Sequence, residues 1–331
     1  MALYDTLRPL LFKLDPEAAH RLALHSLGVA QRSGMATRIV TPPVELPVSV
    51  FGLGFPNPVG LAAGLDKNGE YLDALATLGF GFIEIGTVTP QPQPGNSKPR
   101  LFRLPEHEAI INRMGFNNAG VDALVENVQK SSYQGVLGIN IGKNKDTPNE
   151  KAVNDYLLCL GKVYAHASYV TINISSPNTE GLRDLQAKST LQRLVAMLRA
   201  AQERLGSQHG ARKPMLLKIA PDLSEAELDG MAEVLLHTGI DGVICTNTTL
   251  ERESVSADPR SKESGGLSGK PLFERSTAVL AGMHQRLQGR IPLIGVGGIL
   301  EGSDAAEKLD AGASLVQLYS GLIYRGPALV R

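Results

Sequence analysis

The chain has 331 residues, and its 33 Lys plus Arg balance 33 Asp plus Glu, so no overall positive field draws it to nucleic acid. Hydrophobic residues at 43% and charged residues at 20% supply a sizeable core and exclude intrinsic disorder. Cys159 and Cys245 form no C-x-x-C pair, which leaves neither a disulfide framework nor a zinc site and makes a reducing cytoplasm the simplest compartment.

No apolar run approaches the roughly 18 residues of a membrane span, and the N-terminus lacks the basic, apolar and small-residue series of an export signal. Residues 1–40 read instead as two short helices. Leu3, Leu7, Leu10, Leu11 and Leu14 recur at helical spacing and make one apolar stripe. Asp15-Pro16-Glu17 then supplies an N-cap, a proline at the first helical position and an early acid, and Gly34 stands where the second helix would end. Spacing leaves two readings open: an arm that docks its stripe on the rest of the molecule, or an interfacial device lying on a membrane.

From residue 57 onward, short apolar runs alternate with helix-like segments, the pattern of a parallel sheet. Eight runs occur: 57–65 (NPVGLAAGL), 82–90 (FIEIGTVTP), 135–142 (GVLGINIG), 169–177 (YVTINISSP), 215–221 (MLLKIAP), 242–249 (GVICTNTT), 291–299 (IPLIGVGGI) and 314–321 (SLVQLYSG). Each begins apolar and ends polar or glycine-rich, as expected of a strand buried on both faces whose C-terminal end opens onto an active face. Eight such strands close a (β/α)8 barrel, assigned to residues 41–331. A doubly wound open sheet is the structural alternative, although no G-x-G-x-x-G follows the first run. Ser224 ahead of Glu225, Glu227 and Leu228, and Ser303-Asp304 ahead of Ala305 and Leu309, predict N-capped helices between strands.

Chemistry is expected at the ends of the runs. Ala62-Ala63-Gly64-Leu65-Asp66-Lys67 combines small residues, which permit close approach of a flat ligand, with a positive charge; a tight turn alone would use the same small residues. Amides gather in Asn112-Arg113-Met114-Gly115-Phe116-Asn117-Asn118, at Asn140, in Asn173-Ile174-Ser175-Ser176-Pro177-Asn178-Thr179 and in Asn247-Thr248-Thr249. Buried polar groups of this kind each cost on the order of 1–3 kcal/mol without partners. A planar heterocycle with carbonyl and N–H groups would supply them, since an amide donates and accepts at once. Lys218 reads as a snorkelling or paired lysine, a Schiff-base lysine, or a cation beside a reduced flavin. Gly295-Val296-Gly297-Gly298-Ile299 and Tyr319-Ser320-Gly321 place glycine N–H groups where barrel enzymes commonly hold phosphate, and Gly265-Gly266-Leu267-Ser268-Gly269 is expected as a further glycine loop.

Taken in order, GLAAGLDKNGE, IEIGTVTPQPQPGN, PRLFRL, NRMGFNN, GINIGKNKDTP, INISSPNT, LKIAPDLS, TNTT, GGLSG, IGVGGI and LVQLYSG resemble the dihydroorotate dehydrogenase family, in its membrane-associated, quinone-dependent class. The resemblance implies oxidation of dihydroorotate to orotate in pyrimidine biosynthesis, with FMN taking the electrons and a respiratory quinone removing them. It implies Ser176 as the base at C5, where the soluble class has cysteine, with Thr179 and a water as a candidate relay, and gives Ser175 no such role. Orotate would be held by Lys67, Asn112, Asn173, Asn178, Asn247 and Thr248, with the Arg113, Met114, Gly115 and Phe116 backbone assisting. FMN would contact Ala63, Gly64, Lys67, Thr87, Asn140, Asn173, Lys218, Thr246, Gly269, Gly298, Tyr319 and Ser320. His20, Arg103 and Tyr319 match positions lining the quinone site. The resemblance further implies a monomer, peripheral on the cytoplasmic side of the cell membrane, that touches it through the N-terminal helices. Family members continue in a further C-terminal helix segment where this chain stops at Arg331, and weaker barrel closure is the expected consequence. The soluble class, a barrel lyase using Lys218, and a non-catalytic metabolite-binding barrel are the competing readings.

Overall fold

The computed structural model describes residues 3–35 and 45–331; the boundary read at residues 40 and 41 lies outside them. Helices α1 (Leu3–Leu11) and α2 (Pro16–Arg32) come first. Asp15 caps α2 by accepting the Ala18 N–H at 2.9 Å, Pro16 opens it, and Gly34 follows its end at φ 72°. A hairpin of β1 (Val48–Val50) and β2 (Leu53–Phe55) precedes β3 (Val59–Leu61), α3 (Leu72–Ala76) and β4 (Phe82–Val88). An excursion then carries β5 (Leu101–Leu104) and β6 (Ala109–Asn112). The alternation resumes with α4 (Val121–Lys130), β7 (Val136–Ile141), α5 (Ala152–Val163), β8 (Tyr169–Asn173), α6 (Lys188–His209), β9 (Met215–Ile219), α7 (Glu225–Thr238) and β10 (Gly242–Cys245). After a second excursion with β11 (Gly266–Gly269) come α8 (Phe273–Leu287), β12 (Leu293–Val296), α9 (Gly302–Asp310), β13 (Leu315–Leu318) and α10 (Ser320–Arg325).

Strands β3, β4, β7, β8, β9, β10, β12 and β13 are parallel neighbours in one closed barrel, sealed where Val316 of β13 pairs with Val59 of β3. Each of the eight apolar runs supplies one of these strands, so the open-sheet alternative falls. The strands stop where the runs turn polar, as at Asn173 in the run 169–177, because the remaining residues belong to the mouth. The β1–β2 hairpin stoppers the opposite end, where Phe55 meets Phe82 edge to face with ring centres 5.2 Å apart.

Ser224 caps α7 in a reciprocal box with Glu227, as predicted. At α9 the expectation needs correction: the cap is Glu301, and Asp304 one turn in accepts the N–H groups of Leu300 and Glu301 at 2.8 and 2.9 Å. A carboxylate there serves the free N–H groups ahead of it as well as a cap hydroxyl would.

Two corrections concern the mouth. The segment Gly265–Gly269 is no loop, since Gly266–Gly269 forms β11, which pairs antiparallel with β6, itself paired with β5 in a three-stranded sheet. A side chain at Gly269 would collide with the Glu108 carbonyl, so the glycines there permit close strand approach. The second concerns α1, which docks by its other face: Tyr4 donates to the Ile323 carbonyl at 2.6 Å, Arg8 to that of Tyr324 at 2.5 Å, and Phe12 meets the Tyr324 ring. Leu7, Leu10 and Leu14 point outward, 42%, 60% and 42% exposed. Among the described residues no helix is long and apolar enough to cross a membrane.

Candidate active site

The floor of the site is a buried polar relay anchored on one carboxylate. Glu84 on β4 is fully buried; its Oε1 accepts Asn140 Nδ2 at 2.8 Å, and its Oε2 accepts Tyr169 Oη and Gln317 Nε2, both at 2.9 Å. With its amide nitrogen committed downward, Asn140 turns its oxygen up to accept Thr87 Oγ1 at 2.6 Å and Asn173 Nδ2 at 3.1 Å. Asn173 also donates to Thr87 at 2.9 Å and accepts from Ser175 Oγ at 3.1 Å and Asn247 Nδ2 at 3.4 Å. The carboxylate therefore sets amide orientation across four strand ends, and a satisfied buried network of this kind is rigid.

Above it lie the groups free for a ligand. Ser175 Oγ is used by Asn173 and by Asn247 at 3.0 Å, whereas Ser176 faces the cavity and its Oγ accepts only the Asn178 N–H at 3.2 Å. Asn178 Nδ2 donates to Asn112 Oδ1 at 3.1 Å while its own buried Oδ1 has no partner. Gln317 Oε1, on the cavity wall, is likewise unpartnered. Two lysines enter from opposite sides. Burial and then Arg100 push Lys67 down to about 8, so it remains largely protonated at neutral pH. Burial lowers Lys218, against which Glu84 acts, and its ammonium has no hydrogen-bond partner among the described residues. His20 on α2 is pushed down to about 4 by burial and then by Lys67, so it is neutral at pH 7.

The far wall is glycine-lined. Gly297 and Gly298 have φ of 112° and 78°, and a side chain on Gly298 would strike the Phe273 backbone. Beside them Ser320 Oγ donates to Ser268 Oγ at 2.8 Å, and Tyr319 Oη donates to the Gly64 carbonyl at 3.3 Å. Behind the wall the buried Lys308 ammonium donates to Ser276 and Thr277 hydroxyls at 2.6 and 2.8 Å, and Ser276 in turn donates to the Gly297 carbonyl at 3.1 Å. The glycine wall, the amides and the two lysines face one another across a single cavity.

Nearly every sequence-derived candidate reaches this cavity. Ala63, Gly64, Lys67, Thr87, Asn173, Lys218, Thr246, Gly269, Gly298, Tyr319 and Ser320 line it, as do Asn112, Met114, Gly115, Phe116, Ser176, Asn178, Asn247, Thr248 and His20. Three do not. Asn140 lies one layer beneath, in the relay. The Arg113 side chain pairs with Glu263 at 2.7 Å and stacks on Phe102. Arg103 donates to the Leu11 and Leu14 carbonyls and lies over Phe12, gripping the end of α1. Sequence reasoning missed Glu84, although a lone acid inside an apolar run was a signal. It also missed Arg183, which donates to the Ser175 and Thr248 carbonyls at 3.0 and 2.8 Å and pairs with Asp222 at 2.8 Å, tying two strand ends together from a short 3-10 helix (Leu182–Gln186) with no signature in the sequence.

The glycine wall, the outward-facing amides with open oxygens and the unpartnered lysine fit a large, flat, anionic cofactor stacked against a small polar ring. The dihydroorotate dehydrogenase family model matches residues 45–331. Proteins named dihydroorotate dehydrogenase (quinone) from Stenotrophomonas maltophilia (strain K279a) and Flavobacterium lutescens are each 61% identical over 329 residues, 99% of this chain and 94% of theirs. The crystal structure of Eimeria tenella DHODH in complex with ferulenol has a TM-score of 0.87 at 40% identity, covering 96% of this chain and 89% of that one. The ligand-free form gives 0.86 at 41%, covering 96% and 92%. On its fold, its cavity and these similarities, the chain belongs to the dihydroorotate dehydrogenase family.

Proposed function

We propose that this chain oxidises dihydroorotate to orotate and passes the electrons to a respiratory quinone, within de novo pyrimidine synthesis. The family's enzymes are flavoproteins, and FMN is the flavin this site suits: Gly298 and Ser320 would hold its phosphate, and Ala63, Gly64, Thr87 and Lys218, which line the same cavity, would hold its ring. When bound, the flavin supplies a hydride acceptor for substrate C6.

The chain's own groups do the rest. Lys67 holds the substrate carboxylate, and Asn112, Asn173, Asn178, Asn247 and Thr248 hold the pyrimidine edge, with the backbone of 113–116 beside them. Ser176 takes the C5 proton as the C5–C6 double bond forms. Its Oγ accepts a backbone N–H, which favours the form that has lost a proton, and the buried Thr179 hydroxyl, without a hydrogen-bond partner among the described residues, is the group we assign to pass that proton on. Lys218 would set a positive charge beside the bound flavin, an interaction with an anionic ring of roughly 4 kcal/mol at close range before desolvation.

Residues 1–40 serve as the quinone and membrane arm, and residues 41–331 as the catalytic barrel. His20 and Tyr319 line the end of the cavity beneath α2, Arg103 fixes α1, and the exposed leucines supply an apolar face to the cytoplasmic membrane surface. Resemblance to the quinone-dependent class points to a monomer. The observation that carries the reading is the meeting of Ser176, the amide ring and Lys218 in one cavity. The test is anaerobic: dihydroorotate should bleach the flavin band of the purified protein, and added quinone should restore it. A colourless protein that cannot take up FMN, or trapping of substrate on Lys218 by borohydride, would replace the dehydrogenase with a lyase.

A further inference from the structure

Residues 93–100 contribute nothing to the cavity wall, yet they join two parts of the molecule that form it. On one side the buried Arg100 grips Glu17 of α2 with two prongs, Nε to Oε1 at 2.6 Å and Nη2 to Oε2 at 3.3 Å, and Lys98 adds a contact at 3.1 Å. Burial pushes Glu17 up, but these partners hold it below its usual value, so it is a carboxylate at neutral pH. Arg100 Nη1 meanwhile donates to the Pro94 and Asn96 carbonyls at 2.6 and 3.0 Å, wrapping the segment around the guanidinium.

On the other side the same segment holds the backbone assigned to substrate. The Arg100 carbonyl accepts the Arg113 N–H at 2.9 Å, and Asn96 N–H donates to the Met114 carbonyl at 3.1 Å. Asn96 Nδ2 donates to the Asn178 carbonyl at 3.1 Å, and Gln93 Nε2 to those of Gly115 and Phe116 at 3.0 and 3.2 Å. A side chain on Gly115 would come within 2.8 Å of the Asn96 amide, so the two loops touch without slack.

We propose that Glu17 and Arg100 are positioning residues for the substrate half of the site: the seating of α2 holds Arg100, Arg100 shapes residues 93–100, and that segment sets Asn178 and the 113–116 backbone. A buried guanidinium stays put only while its partners do, and removing one leaves an uncompensated charge. Glu17 has a second effect through charge. The groups acting on Lys67 are Arg100, Glu17 and Asp66, with neutral His20 nearby; without the Glu17 charge, Arg100 would depress Lys67 further and loosen its hold on a carboxylate.

The inference rests on the substrate assignments above, and that footing is checked first by orotate titration of the flavin spectrum in the unaltered full-length protein. Failure of orotate to bind there would sink the assignments themselves. Given binding, Glu17→Gln should weaken orotate about tenfold and shift the pH midpoint of binding downward. FMN content and the flavin reduction rate at saturating dihydroorotate should stay within twofold, and Glu17→Asp should recover most of the affinity. Asn96→Ala, which leaves the Glu17–Arg100 pair intact, should weaken orotate about threefold with quinone KM unchanged. Unaltered orotate affinity in either variant, or affinity, FMN content and limiting rate all falling together in both, would overturn the proposal.

Discussion

The barrel mouth and the N-terminal helix pair solve opposite problems. At the mouth, polar groups are buried and spend most of their hydrogen-bonding capacity on one another, leaving a few oxygens and two lysines open to ligands. In the helix pair, Leu7, Leu10, Leu14 and Leu22 are exposed, while Leu24 joins the main core and tyrosine, arginine and a carboxylate make polar attachments to the rest of the molecule. On the proposed function the inversion has one meaning: a polar ring would satisfy the open amide oxygens of the mouth, and a membrane surface would cover the exposed leucines of the helices.

Substitutions that strike one region and spare the other sharpen this contrast. The largest effect is expected for Ser176→Ala: flavin reduction by dihydroorotate should fall roughly 10²- to 10⁴-fold, the range for loss of a general base, while FMN content and orotate affinity hold. Fast reduction in a stopped-flow trace would remove the serine from its role. Deleting residues 1–40 should leave the limiting rate of flavin reduction within twofold yet abolish reoxidation by quinone. It should also weaken orotate at least as much as Glu17→Gln, and undiminished quinone turnover would end the assignment of the arm.

Replacing Leu7, Leu10 and Leu14 together by serine should cut binding to phospholipid vesicles about tenfold and leave the melting temperature unmoved, since these side chains are 42–60% exposed. A large stability loss would mean that the stripe packs on protein after all. The effect that is smallest at neutral pH, and grows only in acid, is a pH dependence. His20 is held neutral with its pKa near 4, whereas the unfolded chain's histidine titrates near 6.5. Between those values the unfolded state binds more protons, so stability is complete above pH 6.5 and falls as pH drops toward 4, by up to about 3 kcal/mol. His20→Gln should flatten that slope in denaturant titrations; an unchanged slope would place the titration elsewhere.

Legibility followed the range of the forces involved. The amides at 112, 140, 173, 178 and 247 were visible as polar residues where apolar runs end. Their division of labour was not, because Asn140 and Asn173 differ only in what lies below them, a carboxylate 56 residues away from Asn140 in the chain. Ser175 and Ser176 are adjacent and chemically identical. Their different surroundings follow from the path of the chain beyond the end of β8 at Asn173, together with the position of Asn247, 72 residues from Ser175.

Local order alone was enough for the barrel and several helix ends. A strand buried on both faces must be apolar throughout, and a cap acts over three or four residues, so both leave their mark in adjacent letters. The face by which α1 docks, the assembly of β5, β6 and β11 over the mouth from two separate excursions, and the Glu17–Arg100 contact spanning 83 residues left no such mark. Periodicity shows that a helix has two faces but not which of them finds a partner, and a buried ion pair exists only once packing has brought its two charges together and shut out the water around them.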